Sequence, residues 1–164
     1  MNKVFLILGG NLDDRVLILN KTIEQIDEKI GKIKKVSSIY ETEPWGFESE
    51  NSFLNQVVLV ETNQSPEQVL KTVLNIEKSL GRVRKNNKWS SRIIDIDILF
   101  YNNLVYKSNL LIIPHHKIDK RMFVLKPMAE IAGDFIHPLL KKTMKELINE
   151  CDNKLKVEIY KSKN

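Results

Sequence analysis

The chain has 164 residues, 42% hydrophobic and 29% charged, with a net charge of +5. This composition fits one globular domain over residues 1–164 and excludes collagen-like and disordered chains. One cysteine excludes an internal disulfide framework, and the N-terminal apolar run is too short for a signal peptide or a membrane span. We therefore expect a cytoplasmic protein that does not contact membranes.

Hydrophobic patterning predicts an alternation of strands and helices over the first two thirds of the chain. The predicted elements are a strand at 3–8, a helix at 16–30, strands at 33–41 and 53–61, a helix at 66–80 and a strand at 93–101. Ser65 and Gln68 form a capping box that begins the second helix. The order β-α-β-β-α-β is typical of a ferredoxin-like α+β sandwich, with helices packed on a mainly antiparallel sheet.

The last third of the chain predicts a C-terminal extension of the same domain. Its predicted elements are a hairpin at 104–113, short helices at 122–131 and 144–150, and an edge strand at 155–160.

The excess positive charge lies in one segment, residues 82–92. This segment holds five basic residues and no acidic one, and without these five the 26 basic residues fall to 21, which matches the 21 acidic residues. A protein that coats a nucleic-acid duplex spreads its basic residues over a face, so the segment favours a small polyanion such as a nucleoside triphosphate. A solvated surface loop is the alternative.

Two aspartates, Asp95 and Asp97, give the sharpest chemical signal. Residues two apart on a strand point to the same face, so both carboxylates face out while the isoleucines beside them face the core. Mg²⁺ takes one or two carboxylates together with substrate phosphates. An amphipathic strand with an acidic face is the alternative. Arg92 weakens it, because carboxylates for a metal beside guanidinium groups for phosphates are the parts of a phosphoryl-transfer site.

Phe53 and Asn55 share one face of a predicted strand. A ring beside a carboxamide suits a flat heterocycle, which stacks on the ring and hydrogen-bonds to the amide. A core Phe beside a loop-capping Asn is the alternative. Trp45 and Phe123 are further candidates for stacking, and Gly9 either forms a tight turn or lets a flat ligand approach the backbone.

A second cationic group follows at His115, His116 and Arg121. Adjacent histidines point in different directions on a strand, so a two-histidine metal site is not expected. A single histidine near phosphates is a candidate donor to an oxyanion. Glu77 is either a surface carboxylate or a partner of arginines in the basic segment, and we expect His137 to be structural.

The run from Lys88 to Leu99, KWSSRIIDIDIL, resembles the signature of the 6-hydroxymethyl-7,8-dihydropterin pyrophosphokinase family of folate synthesis. The resemblance covers nearly the whole chain and includes Gly9, Asn11, Tyr40, residues 42–46, residues 53–55, Glu77, residues 81–84, Pro114, His115, Arg121 and Phe123. The positions that depart from the commonest family pattern are Gly10, Phe53, Lys88, Ser90 and His116.

The resemblance implies transfer of pyrophosphate from ATP to the hydroxymethyl oxygen of the reduced pterin, with release of AMP. It implies that Asp95 and Asp97 hold two Mg²⁺ ions and that Arg82 and Arg92 join them as catalytic residues. The ATP contacts that it implies are Glu77, Arg84, Trp89, Ile98, Ile112, His115, His116 and Arg121. The pterin contacts that it implies are Gly9, Thr42, Pro44, Trp45, Phe53, Asn55 and Phe123.

Two rival functions fit the sequence less well. Ferredoxin-like folds include RNA-binding domains, but the chain has no RNP1-like pattern, and Asp95 and Asp97 would repel a phosphate backbone. A pterin- or nucleotide-binding relative without catalysis would lack some metal or phosphate residues, whereas all of them are present. We therefore expect an enzyme that acts as a monomer on ATP and the pterin, without nucleic acid.

Overall fold

An antiparallel sheet with helices on both faces is the framework of the molecule. The structure is a computed structural model that describes residues 1–42, 52–81, 93–153 and 155–161. Its strands are β1 (Asn2–Gly10), β2 (Lys32–Val36), β3 (Tyr40–Thr42), β4 (Phe53–Thr62), β5 (Asp95–Tyr101), β6 (Tyr106–Lys107), β7 (Ile112–Ile113) and β8 (Val157–Ile159). Its helices are α1 (Arg15–Lys29), α2 (Pro66–Ser79), α3 (Met122–Ala132) and α4 (Met144–Glu150), with a 3₁₀ turn at Ile118–Lys120.

The strands of the main sheet lie in the order β5-β1-β4-β3-β8, and β2 also pairs with β4. Every pairing in this sheet is antiparallel. The predicted β-α-β-β-α-β unit and the α+β class are confirmed. The C-terminal extension is confirmed as well, because β6 and β7 form the predicted hairpin and β8 adds to the edge of the sheet beside β3.

The predicted strand at 33–41 is wrong in one respect, since it is divided into β2 and β3. Ser37 lies between them and bonds to β4 with its side chain as well as its backbone. Its N–H donates to the carbonyl of Val57 at 2.9 Å, and its Oγ accepts from the N–H of Val57 at 2.9 Å. A hydroxyl therefore takes the place of a ladder carbonyl, and the regular strand is interrupted.

Alternate residues of β1 point into two hydrophobic cores. Leu6 and Leu8 pack in the core beneath α1 and α2, whereas Phe5 and Ile7 pack in the core beneath α3 and α4. Burying an apolar side chain of this size contributes about 1.5–3 kcal/mol. The two hydrophobic cores therefore fix the helices against both faces of the sheet.

Side-chain caps set the start of three helices. Asp14 accepts a backbone N–H from the first turn of α1. Ser65 and Gln68 form the predicted capping box of α2, and Thr143 and Glu146 form a second box at α4. Such caps contribute about 1 kcal/mol each. In the ranges that the structure describes, no helix combines the length and apolarity that a bilayer crossing requires.

His137 has the structural role that the sequence predicts. Its Nδ1 accepts the backbone N–H groups of Leu139 and Leu140 at 3.2 and 3.1 Å. Its backbone N–H donates to the carbonyl of Lys142 at 2.8 Å. The ring is buried and meets Phe100 edge-on. His137 thus ties together the loop between α3 and α4.

Candidate active site

Three neighbouring strands place Asp95, Gly9 and Asn55 in one row across the sheet. Gly9 on β1 pairs with Asp95 on β5 and with Asn55 on β4. Paired residues share a face of the sheet. This face is the one that α3 covers, because Ile7 and Val57, two residues away along β1 and β4, pack in the core beneath α3.

Asp95 and Asp97 lie on this same face, as predicted. Both side chains are partly exposed, whereas Ile96 and Ile98 are 4% exposed and pack beneath α1 and α2. The alternation confirms that the two carboxylates point the same way. In the described part of the chain no group of three or more His, Cys, Asp or Glu side chains is arranged to hold a metal ion.

Gly9 leaves room for the side chain of Asn55. A Cβ atom at Gly9 would lie 2.3 Å from Oδ1 of Asn55, far closer than a van der Waals contact. The Asn55 carboxamide therefore lies directly over the backbone of Gly9. Asn55 is 7% exposed and sits within β4, so the alternative of a loop-capping Asn is wrong.

Thr42, the last residue of β3, and Phe53, the first residue of β4, extend the row. They pair with each other two residues beyond the pair of Tyr40 and Asn55. Residues two apart on a strand share a face, so Thr42 and Phe53 also lie on the face beneath α3. The Oγ1 atom of Thr42 is buried, and no hydrogen-bond partner for it occurs among the residues described. Buried hydroxyl groups are nearly always satisfied, so this atom marks a place for a ligand atom or for a residue outside the described ranges.

The start of α3 brings Arg121 and Phe123 to the site. Arg121 directly precedes the helix, and its guanidinium lies over the ring of Phe123 at 5.5 Å from the ring centroid. Burial lowers the pKa of His115 to about 4, with a further contribution from the positive charge of Arg121 and an opposing one from Asp95. His115 therefore lies within electrostatic reach of both Arg121 and Asp95.

His115 is therefore neutral near pH 7. Its Nδ1 accepts the N–H of Lys117 at 3.3 Å, so the ring hydrogen is assigned to Nε2, which can donate. Its backbone N–H donates to the carbonyl of Leu99 on β5 at 3.0 Å. His116 is exposed and stacks on the His115 ring with a centroid distance of 4.9 Å.

Glu77 lies at the outer edge of β5, where the sheet ends. It is 3% exposed, and its carboxylate accepts the backbone N–H of Ile96 at 2.7 Å. The interpretation of Glu77 as a surface carboxylate is wrong. A signal for burial was present, because Glu77 continues the i, i+4 spacing of Val69 and Val73 on α2.

Ile98 and Ile112 lie beside this edge. Ile98 falls between Ile96 and Leu99, two residues of β5 whose backbone is bonded from outside the sheet. Ile112 belongs to β7 and is 41% exposed. The remaining predicted site residues lie outside the described residues and stay predictions: Pro44, Trp45, Arg82, Arg84, Trp89 and Arg92.

Two residues near the site were not predicted. Glu130 of α3 accepts hydrogen bonds from the hydroxyl of Tyr40 at 2.8 Å and from Ser38, and burial together with this carboxylate raises the pKa of Tyr40 to about 12. Arg15 contacts the ends of β3 and β4. The partners are 26 to 92 positions apart in the chain, so local sequence patterns carry no signal for these contacts.

Comparison with known protein families matches residues 5–133 to the family described as 7,8-dihydro-6-hydroxymethylpterin-pyrophosphokinase (HPPK). The chain belongs to this family of pyrophosphokinases. Over 146 residues it is 40% identical to the 2-amino-4-hydroxy-6-hydroxymethyldihydropteridine pyrophosphokinase of Aquifex aeolicus, which covers 89% of this chain and 90% of that protein. A similar enzyme of Bacillus subtilis is 38% identical over 131 residues, covering 79% of this chain and 78% of the relative.

Some HPPK relatives are much longer proteins. The folic acid synthesis protein fol1 of Pneumocystis carinii is 42% identical over 136 residues, which are 83% of this chain but 18% of that protein. A crystal structure of an HPPK-DHPS in complex with substrates superposes with a TM-score of 0.74 at 20% identity, and covers 91% of this chain and 43% of the solved chain. At that identity the likeness shows the fold alone, and this chain spans less than half of that solved chain.

Proposed function

We propose that this chain transfers the pyrophosphoryl group of ATP to the hydroxymethyl oxygen of 6-hydroxymethyl-7,8-dihydropterin, a step of folate synthesis that yields the pterin diphosphate and AMP. The observation that carries the proposal is the row of Asp95, Gly9 and Asn55 on one face of the sheet. It sets a carboxamide for a heterocycle beside carboxylates for a metal and phosphates. Membership of the family and the names of the relatives support the same reaction.

The pterin half of the site lies over β4 and β3. The carboxamide of Asn55 offers both a donor and an acceptor, which matches the edge of a pterin ring. The buried hydroxyl of Thr42 supplies a further polar contact, and Gly9 leaves the space that a flat ring needs. The proposed pterin contacts are Gly9, Thr42, Pro44, Trp45, Phe53, Asn55 and Phe123.

Asp95 and Asp97 fit a Mg²⁺ site. They provide two partly exposed carboxylates on one face, and a hard cation of this kind takes one or two carboxylates with substrate phosphates as its other ligands. We propose two ions held in this way. Bound Mg²⁺ supplies neutralisation of the phosphate charge and alignment of the reacting oxygens.

The phosphate half of the site lies between β5 and the start of α3. Arg121 presents a permanent cation, and neutral His115 presents an Nε2–H donor to a phosphate oxygen. The edge of β5 near Ile98, with Ile112 opposite, is the proposed place of the adenine. The other proposed contacts to ATP are Glu77, Arg82, Arg84, Trp89, Arg92 and His116, with Arg82 and Arg92 acting on the transferring phosphates.

In the reaction the hydroxymethyl oxygen attacks the β-phosphorus of ATP. The bond from the β-phosphorus to the oxygen that bridges it to the α-phosphorus breaks, AMP leaves with that bond's electron pair, and the hydroxyl proton is released. The residues of the chain hold the two substrates in line and stabilise the phosphate charge, which are the main sources of catalysis in phosphoryl transfer. We propose that one domain, residues 1–164, performs this step in the cytoplasm as a monomer and without nucleic acid.

The test is product analysis after mixing the protein with ATP, Mg²⁺ and the pterin. We expect AMP and a pterin diphosphate in equal amounts, and neither product when the metal or the pterin is omitted. ADP as the nucleotide product would keep the nucleotide site and reject pyrophosphoryl transfer. Folded protein that binds pterin and yields no nucleotide product would indicate a relative without catalysis.

A further inference from the structure

Arg15, the first residue of α1, bridges the ends of β3 and β4. The last pair of these strands is Thr42 with Phe53, both proposed to contact the pterin. Just outside that pair, Nη1 of Arg15 donates to the carbonyl oxygen of Ser52 at 2.9 Å and to its Oγ at 3.0 Å. The Oγ of Ser52 in turn donates to Oε2 of Glu41 at 2.5 Å.

The three side chains form a closed set of contacts. Nη1 of Arg15 lies 3.7 Å from Oε2 of Glu41, so the guanidinium, the hydroxyl and the carboxylate all meet. The Arg15 guanidinium also lies over the ring of Tyr160, 5.5 Å from its centroid, and the Tyr160 N–H donates to the carbonyl of Ile39 at 2.8 Å. One cation therefore joins the end of β3, the start of β4 and the segment after β8.

The position of Arg15 is not explained by its own helix. A cation in the first turn of a helix is opposed by the helix dipole, and the nearby carboxylate of Asp14 is engaged as the N-cap, where it accepts the N–H of Leu17. The side chain is nevertheless 19% exposed, well below an ordinary surface arginine. The contacts to Ser52, Glu41 and Tyr160 are therefore what hold it in place.

Arg15 acts from the face of the sheet opposite the pterin. Glu41 lies between Tyr40 and Thr42 on β3, so its side chain points away from the face that carries Asn55. Arg15 meets this outward side chain and the backbone of Ser52. Among the residues that the structure describes, its contacts reach the pterin half of the site only through the strands that it joins.

We propose that Arg15 is a positioning residue for the pterin half of the site. It fixes the ends of β3 and β4 relative to each other, and thereby the placement of Thr42 and Phe53 toward the pterin. This inference rests on the proposed function. The pairing of β3 with β4 also includes Tyr40 with Asn55, so we expect the two strands to remain paired without Arg15.

The test compares Arg15→Met, which keeps most of the apolar stem and removes the guanidinium, with Arg15→Lys, which keeps the charge but loses the planar fork. Binding of the pterin is measured by titration without ATP, and KM is measured for both substrates. We expect Arg15→Met to weaken pterin binding about tenfold and to leave KM for ATP within about twofold. Arg15→Lys and Ser52→Ala, which retain part of the contacts, should give intermediate losses.

A structural readout accompanies the binding data. Hydrogen exchange of the backbone amides at 40–42 and 53–55 should be faster in Arg15→Met than in the wild type. Lys142→Ala is the matched control, because it removes an exposed ion pair with Glu150 at 2.7 Å that belongs to neither strand. The control should change neither exchange nor pterin binding.

Two results would overturn the proposal. One is pterin affinity and exchange equal to wild type in both Arg15 variants, and the other is an equal rise in KM for ATP and pterin, which indicates general loosening. Failure of the proposed function is distinguishable from both. A wild-type protein that yields no AMP still reports the role of Arg15 through exchange at β3 and β4 and through the pterin titration.

Discussion

At the scale of single residues, Gly9 is the position where one added methyl group should change binding more than folding. The Cβ of Gly9→Ala would displace the flexible end of the Asn55 side chain, which lies 2.3 Å from that point. We expect KM for the pterin to rise about tenfold or more, with a loss of only about 1 kcal/mol in the free energy of unfolding. Steady-state kinetics and urea denaturation measure the two effects.

A double-mutant cycle identifies the cause. Asn55→Ala removes the side chain that the Cβ of Gly9→Ala would meet. In that background Gly9→Ala should therefore have little further effect on KM for the pterin. Full additivity of the two substitutions would show that Gly9 acts by another route than clearance for Asn55.

Asp95 and Asp97 should be needed for turnover and not for folding. Asp95→Asn and Asp97→Asn keep the shape of the side chain and remove a charge from a partly exposed position. We expect each to lower kcat/KM about a thousandfold, because each weakens the hold on Mg²⁺, while the fold is retained because neither change removes core volume. Asp134→Asn, at an exposed site after α3, is the control. Near wild-type turnover in either variant would contradict the assignment.

His115 should make the folded state less stable in acid. Burial lowers its pKa to about 4, the positive charges of Arg121, His116 and Lys117 act in the same direction, and Asp95 opposes them. In the unfolded chain His115 takes up a proton near pH 6.5, whereas in the folded chain it does so only near pH 4. The free energy of unfolding should therefore fall by about 3 kcal/mol between pH 6.5 and pH 4 on account of this residue.

The His115 contribution is isolated by comparison with His115→Gln in metal-free buffer. Urea denaturation at several pH values gives the free energy of unfolding of both proteins. Burial also lowers the pKa of His137, but His137 is present in both proteins and its effect cancels. A difference between the two proteins that is constant across this pH range would show that His115 is not buried as a neutral ring.

At the scale of elements, Glu77 joins α2 to the edge of the sheet. Glu77→Ala would leave the N–H of Ile96 without this acceptor, so we expect a loss of about 2 kcal/mol or more in the free energy of unfolding. Glu77→Gln retains a carbonyl acceptor and should lose less. Equal stability of the wild type and Glu77→Ala in urea denaturation would mean that the contact contributes nothing net.

The elements themselves could be predicted wherever one periodicity extends over several residues. The alternation around Asp95 and Asp97 predicts their shared face, and the capping box at Ser65 predicts the start of α2. The division of the second strand could not be predicted, because the side chain of Ser37 bonds to Val57, 20 positions away. For the candidate site, spacing predicted the shared faces of Asp95 with Asp97 and of Phe53 with Asn55, whereas Thr42 and Ile98 were named only through the family resemblance. The contacts of Arg15 depend on the packing of separate elements, so neither source predicted them.

At the scale of the whole molecule, the outer strands of the sheet, β5, β8 and β2, decide whether copies of the chain can pair. Other parts of the chain bond to the outer edge of β5. The Glu77 carboxylate accepts the N–H of Ile96, and the N–H of His115 donates to the carbonyl of Leu99. β8 has three residues, and the ion pair between Lys156, just before it, and Glu158, within it, is exposed. β2 carries three lysines, Lys32, Lys34 and Lys35. Short or charged edges resist pairing with another chain.

We therefore expect a monomer in solution. Light scattering after size exclusion should give the mass of one chain, 19.1 kDa, at all concentrations tested. Neutralising the β8 edge with Lys156→Val and Glu158→Val together should promote self-association, because the exposed strand then becomes apolar and uncharged. Turnover per chain should be independent of concentration for the wild type. A wild-type mass of about two chains, or turnover that rises with concentration, would mean that the active unit contains more than this one domain.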